Sequence, residues 1–210
     1  MKKGKLLSLA IGMVLATLIM VFGCTSPAQE HVVKANEYFN QGRYDEAITE
    51  FSEAIELEPT NAELYYDRGN VYLKQGRLQT AAADYDKAIS LDPKLAMAYN
   101  NRGLAYAGMM MYDTAIVDYS KAIELNPKLA VAYDNRGLMY RDKYEYDTAI
   151  ADFTKAIELD PMLAKAYFNR GYAYNKKGDM EQAKADLDKC IELSTDPVLT
   201  KAAKDLRERL

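Results

Sequence analysis

The chain has 210 residues, of which 49% are hydrophobic and 28% are charged, and its formal net charge is −4. This composition predicts one folded unit with an N-terminal appendage and excludes a wholly disordered chain. The acidic balance argues against nucleic acid as a partner, because the folded part would repel phosphates.

The chain begins with a segment typical of bacterial secretion signals. Lysines within the first five residues precede an uncharged run from Leu6 to Phe22, which is followed by Gly23 and Cys24. The ending Val21-Phe22-Gly23-Cys24 resembles the lipobox of bacterial lipoproteins. That resemblance implies a diacylglycerol joined to the cysteine thiol and cleavage that leaves the cysteine as the first residue.

We therefore predict a lipoprotein signal peptide over residues 1–23 and a short tether with lipidated Cys24 over residues 24–30. The tether would reach roughly 20 Å when extended, and two or three acyl chains would hold the protein permanently at the bilayer. Thr25 stands where an Asp would resemble an inner-membrane retention signal, so the outer membrane is expected in a cell that has one. An uncleaved anchor of roughly 17 apolar residues and ordinary cleaved secretion remain open.

The rest of the chain is built from a repeat of 34 residues. The block Tyr-x-x-x-Gly-x-x-Tyr occurs four times at that spacing, beginning at Tyr65, Tyr99, Tyr133 and Tyr167. A unit of this length cannot enclose a hydrophobic core alone, so several units must stack. Alignment predicts a repeat array over residues 31–197, with repeats at about 28–61, 62–95, 96–129, 130–163 and 164–197, and an apolar-striped capping helix over 198–210.

Each repeat contains two helical patterns, and a proline closes each of the first four repeats. The second pattern carries a recurring alanine, as at Ala81, and a recurring aromatic residue, as at Tyr85. These positions resemble the tetratricopeptide repeat (TPR), and the resemblance covers essentially everything after the leader. It implies an all-α fold, an α-solenoid of about five helix-turn-helix repeats in which an aromatic side chain fills the space opposite a glycine.

A ladder of opposite charges accompanies the aromatic residues. In repeats two to five an arginine stands 16 residues before an aspartate, and repeat one has Lys34 and Glu50 at the same places. We expect each pair to bridge the two helices of its repeat, although recognition of an acidic ligand remains an alternative. The pairs are Arg68 with Asp84, Arg102 with Asp118, Arg136 with Asp152, and Arg170 with Asp186.

The resemblance implies that the first helix of every repeat lines a concave peptide groove. Its asparagine side chains, with Asp67 in the same place in repeat two, present donors and acceptors that suit an extended peptide backbone. The alternative that they only cap and solvate the helices stays open. The groove candidates are Asn70, Met97, Asn101, Leu104, Val131, Asn135, Leu138, Lys165, Phe168, Asn169 and Tyr172.

One ligand class known for TPR proteins is not expected. A carboxylate clamp for acidic chaperone tails needs lysine, lysine and arginine at positions that Tyr66, Val131 and Asn135 occupy here. The required cations are missing, so an acidic C-terminal tail is a poor candidate for the ligand.

No pattern predicts catalysis. The only histidine is His31, which fills an aromatic position of repeat one and is expected to be structural, and Cys190 fills a small buried position. The chain contains no Gly-rich phosphate loop, His-Glu-x-x-His helix or paired-cysteine metal motif, so no cofactor and no metal site are expected. The sequence therefore predicts a membrane-anchored, non-catalytic adaptor that binds peptide segments of other proteins in the bacterial cell envelope. The alternative is a structural scaffold that self-associates as a homo-oligomer.

Overall fold

The computed structural model describes residues 26–210, and every regular element in that range is a helix. The leader and Cys24 lie outside the described residues. The helices are α1 (Pro27–Asn40), α2 (Tyr44–Leu57), α3 (Ala62–Lys74), α4 (Leu78–Leu91), α5 (Ala96–Gly108), α6 (Tyr112–Leu125), α7 (Ala130–Asp142), α8 (Tyr146–Leu159), α9 (Ala164–Lys177), α10 (Met180–Leu193) and α11 (Pro197–Arg207).

The chain divides into two compact units between Pro59 and Thr60. In the first unit, α1 packs against α2 as a single hairpin. In the second unit, four hairpins (α3 with α4, α5 with α6, α7 with α8, α9 with α10) are followed by α11, and the second helix of each hairpin packs against the next element. The prediction of an all-α solenoid of TPR repeats is confirmed.

The first helix begins earlier than the tether prediction allowed. The Ser26 hydroxyl accepts a hydrogen bond from the Gln29 amide at 3.1 Å, and Pro27 occupies the first helical position. Serine followed by proline is a favoured helix start, because the serine oxygen caps a free amide and proline has no amide to leave unpaired. Residues 27–30 are therefore helical, and the part of the predicted tether that lies beyond Cys24 is correspondingly shorter.

Glycine sets the distance between the two helices of a hairpin. A Cβ atom at Gly69, Gly103 or Gly137 would lie only 2.7–2.8 Å from the ring of the aromatic residue on the facing helix. That ring belongs to Tyr85, Tyr119 and Phe153, respectively, each of which is fully buried. In the fifth repeat Leu187 takes the place of the aromatic residue beside Gly171.

Two of the hairpin turns carry large side chains in a conformation that suits glycine. Met110 and Tyr144 have φ angles of 59° and 64°, whereas the equivalent turns elsewhere use glycine. A Cβ atom makes this left-handed region unfavourable by roughly 1 kcal/mol. Both side chains are nevertheless 76–79% exposed, so burial does not compensate for the strain.

The last helix covers the end of the second unit. Leu199, Leu206 and Leu210 pack with Ala203 on the buried residues Leu187 and Cys190 of α10. Burial raises the pKa of the Cys190 thiol to about 11, so the thiol stays protonated and acts as a small apolar group.

None of the helices between residues 26 and 210 combines the length and the hydrophobicity that crossing a membrane requires.

Candidate functional site

The predicted charge pairs form four two-bond bridges inside the hairpins. In each, Nε and Nη2 of the arginine donate to the two carboxylate oxygens at 2.6–2.8 Å. The arginine pKa is raised in every pair, first by the hydrogen bond to the carboxylate, with burial acting in the opposite direction. The pairs are Arg68–Asp84, Arg102–Asp118, Arg136–Asp152 and Arg170–Asp186.

A third bond links successive hairpins. Nη1 of Arg136 donates to the Ser120 hydroxyl at 3.0 Å, and Nη1 of Arg170 donates to the Thr154 hydroxyl at 3.1 Å. Arg102 makes the equivalent contact with the Asp86 carboxylate. Each of these arginines therefore joins three helices, which favours the structural role over recognition of an acidic ligand.

Repeat one does not continue this ladder. Glu50 is approached by His31 Nδ1 at 2.7 Å, and not by Lys34 as the alignment predicted. The lysine side chain has the right sign but no fixed fork of donors that would hold it on the carboxylate.

The predicted asparagine row forms a second ladder between hairpins. The Nδ2 atom of each asparagine donates to a side chain 35 residues earlier: Asn101 to the Tyr66 hydroxyl at 3.3 Å, Asn135 to Asn100 at 3.1 Å, and Asn169 to Asp134 at 2.9 Å. Asn101 also donates to Asn70 at 2.8 Å. These amide groups thus bond within the protein and do not form a free row that could hold a peptide backbone.

One groove candidate is buried and a second is partly buried. Asn169 is only 6% exposed, and Leu138 packs against buried residues such as Tyr119 and Phe153. The sequence could not reveal their burial. Both residues stand on first helices, and the resemblance alone assigned the exposed face of those helices to the groove. Met97 is partly exposed and lines neither of the two cavities described below.

Four of the candidates do meet at one cavity. Leu104, Val131, Asn135 and Lys165 line a cavity of about 630 Å³ formed by α5, α7, α9 and the segment before α11. We call it the acidic pocket, because Asp134, Asp160 and Asp196 also line it and Lys165 is its one cation.

Asp134 is the unusual residue of the acidic pocket. It is 6% exposed, and burial raises the pKa of its carboxyl, while the hydrogen bond from Asn169 and the charges of Lys165 and Arg141 lower it. The same position of the previous repeat holds Asn100, a buried residue outside the predicted groove set. A carboxylate here costs more than an amide unless a cation comes close.

Two further candidates lie in a second cavity. Phe168 and Tyr172 line a space of about 450 Å³ together with Tyr112, Tyr144 and Tyr146. Arg141 lies over the Tyr172 ring at 5.4 Å. The three tyrosines stand at or just before the starts of second helices. The groove prediction considered first helices only and therefore did not include them.

The stacked hairpins define an α-solenoid, the fold of protein–protein interaction adaptors. Models of the TPR repeat match residues 35–76, 69–109 and 137–178, and models of the tetratricopeptide repeat match residues 96–129 and 164–197. The chain therefore belongs to the tetratricopeptide repeat family.

Several solved structures have the same fold at low sequence identity. A structure of the MamA protein is 29% identical with a TM-score of 0.69, covering 79% of this chain and 90% of that chain. YrrB, described as a TPR protein with an unusual peptide-binding site, is 26% identical with a TM-score of 0.64, covering 83% and 90%. TTC0263, a thermophilic TPR protein of Thermus thermophilus, at 22% identity and a TM-score of 0.72 over 87% and 100%, shows the fold alone. No curated protein is significantly similar in sequence.

The buried tyrosines of repeats two and three differ in one hydrogen bond. The Tyr85 hydroxyl donates to Asn70 Oδ1 at 2.8 Å. Within residues 26–210 the buried Tyr119 hydroxyl has no hydrogen-bond partner, because Leu104 stands where the earlier repeat has Asn70.

We therefore expect opposite results from the same substitution at these two positions. Tyr119→Phe removes an unsatisfied buried hydroxyl and should raise the free energy of unfolding by about 1 kcal/mol, whereas Tyr85→Phe should lower it by about 1 kcal/mol. Urea unfolding measures both values. Leu104→Asn, which offers Tyr119 the missing acceptor, should remove the benefit of Tyr119→Phe, and equal losses at both tyrosines would contradict the assignment.

Asp67 predicts a pH dependence of stability. Burial, and to a lesser extent the nearby Glu63 carboxylate, raises the pKa of Asp67 to about 6, from 3.8 for an unperturbed aspartate. The folded state then binds the proton more tightly than the unfolded state, so this group's contribution to stability is lost as the pH rises from about 4 to about 6. Asp67→Asn should leave stability near pH 4 almost unchanged and raise it by about 1 kcal/mol at pH 7.

Thermal unfolding at a series of pH values tests this. The exposed Asp205→Asn in α11 is the matched control and should keep the wild-type profile. A wild-type profile in Asp67→Asn as well would show that Asp67 ionises normally.

Proposed function

We propose that this protein is a non-catalytic adaptor that binds extended peptide segments of other proteins in the acidic pocket. The supporting observation is that first helices of three successive repeats place four predicted groove residues around one cavity of about 630 Å³. The similarity to YrrB, whose structure is described as having a peptide-binding site, points in the same direction.

The chemistry of the pocket favours a segment with a basic side chain. Leu104 and Val131 are 36–39% exposed and offer apolar contacts. The carboxylates exceed the single lysine, so a lysine or arginine of the peptide would compensate a buried charge that the protein itself balances only in part.

Selection from a random peptide library displayed on phage tests this proposal. Full-length protein in detergent micelles should enrich peptides with a lysine or arginine beside apolar residues. Fluorescence titration with the enriched peptides should then show that Asp134→Asn weakens binding about tenfold, because it removes the charge (about 1.4 kcal/mol). The variant keeps an acceptor for Asn169 and has the residue that the previous repeat carries at this place, so it is expected to fold.

The matched control is Asp113→Asn, which removes an 86% exposed carboxylate from α6, outside the pocket. It should bind the selected peptides as the wild type does. Equal affinity of wild type and Asp134→Asn would contradict a role for the acidic pocket.

One observation favours the scaffold alternative. Met110 and Tyr144 keep large apolar side chains exposed on a strained backbone, which a contact between copies of the chain would explain. In that case light scattering would give the mass of several chains, the library would enrich no peptide, and Met110→Gly with Tyr144→Gly would restore the mass of one chain.

We further propose that the adaptor is held at the extracytoplasmic face of a bacterial membrane through lipidated Cys24, in the outer membrane where the cell has one. This proposal rests on the lipobox-like ending of the leader. One lipid-modified residue with two or three acyl chains suffices for a stable anchor.

Replacement of Cys24 tests the anchor. Cys24→Ser should move the protein out of the membrane fraction or leave it uncleaved, and mass spectrometry of the wild type should find an acylated residue 24 at the N-terminus. A Cys24→Ser variant that stays in the membrane while the wild type also retains Met1 would indicate an uncleaved anchor. Wild-type protein outside the membrane fraction would indicate ordinary secretion.

A further inference from the structure

Three side chains of the first hairpin meet at one point. His31 of α1 lies with its Nδ1 atom 2.7 Å from Glu50 Oε2 and 3.1 Å from Glu53 Oε2, both on α2. The three groups offer donor atoms that all lie within 4.8 Å of one another. Glu50 and Glu53 are one helical turn apart, so they share a face of α2.

Repeat one departs from the other repeats at all three positions. Where it has His31, Glu50 and Glu53, repeats two to five have tyrosine, aspartate and lysine. The reversal from lysine to glutamate is the largest change, because it places a second carboxylate beside the first. The lysines at that position are Lys87, Lys121, Lys155 and Lys189.

This change leaves the two carboxylates without the fixed cations that the later repeats provide. Among residues 26–210, His31 is the only basic side chain within 4.0 Å of Glu50 or Glu53. Glu50 is mostly buried, with 18% of its side chain exposed. The imidazole can bring at most one positive charge to the two carboxylates, whereas a divalent cation would neutralise both.

The donor set also suits a metal. One imidazole nitrogen and two carboxylate oxygens are ligands that zinc accepts at about 2.0–2.2 Å, with a fourth position left for water or another ligand. Glu53 has 52% of its side chain exposed, so it can adjust its position to complete the coordination. We propose that His31, Glu50 and Glu53 bind one first-row divalent cation, with Zn²⁺ as its best representative, and that this ion joins α1 to α2.

The consequence is a metal-dependent stability of the first hairpin, separate from peptide binding at the acidic pocket. The ion would bind the folded hairpin and not the unfolded chain, so it would raise the melting temperature in proportion to the logarithm of its concentration. The open coordination position would also let a side chain of a partner protein complete the site.

Titration of the full-length protein in detergent micelles with Zn²⁺ tests the proposal. The protein carries an affinity tag without histidine and is stripped of metal with a chelator. Calorimetry should show one Zn²⁺ per chain, and the melting temperature should rise with added Zn²⁺. His31 is the single histidine of the chain, so diethylpyrocarbonate reports on it alone, and bound Zn²⁺ should protect it by holding the proton on the other ring nitrogen.

Two variants replace a residue of the site by the one that repeats two to five have at the same position. Both are therefore expected to fold. His31→Tyr and Glu53→Lys should each weaken Zn²⁺ binding by about tenfold or more, and circular dichroism without metal verifies their helical content. Glu56→Gln changes an exposed carboxylate of the same helix and should bind Zn²⁺ as the wild type does.

The result that overturns the proposal is the absence of stoichiometric Zn²⁺ binding, or binding that is unchanged in His31→Tyr. Either result would show that His31 only forms hydrogen bonds with the two glutamates. The peptide selection for the acidic pocket uses the second unit and does not depend on this outcome.

Discussion

A partly buried guanidinium group joins three helices at the successive contacts of the second unit. Arg136 and Asp152 keep only 20% and 9% of their side-chain surface exposed, so both charges have lost most of their water. Removing an ion from water costs several kcal/mol, which two short bonds to the carboxylate and a third to Ser120 offset. A shifted pairing of helices would leave these charges unpaired, and the ladder therefore fixes how one hairpin sits on the next.

The need to pair buried polar groups also determines which side chains are available to a ligand. The amide donors of Asn101, Asn135 and Asn169 join first helices to one another, and the guanidinium groups join hairpins. Polar groups that recur in the repeats are thus already bonded inside the protein. In the proposed peptide site, recognition would fall to the apolar residues of the acidic pocket and to Asp134, whose charge the hydrogen bond from Asn169 compensates only in part.

The sequence predicted the fold well because the recurring residues are the packing residues. Gly103 and Tyr119 recur together because the tyrosine ring fits only opposite a residue without a side chain. Arg102 and Asp118 recur at a fixed spacing because each needs the other's charge, and that spacing predicted their bridge. The asparagines recur just as regularly, but their partners lie 35 residues away in another repeat, so the sequence could not show whether they face each other or a ligand. Ser26 and Pro27 form a favoured helix start and would have predicted the beginning of α1. The predicted tether over residues 24–30 covered these residues because its bounds followed from the leader.

The residues that the repeat pattern does not explain stand where one repeat differs from the others. A residue that recurs packs in a similar way in each hairpin, so packing accounts for its presence. Asp134 puts a carboxylate at a buried position that holds Asn100 in the repeat before it and other uncharged residues in the remaining repeats, and Glu53 puts one where the later repeats have lysine. Both changes add negative charge where the hairpin does not need it, and such charge persists at low cost only if a cation compensates it. We propose a basic side chain of the bound segment as that cation in the acidic pocket, and a metal ion in the first hairpin.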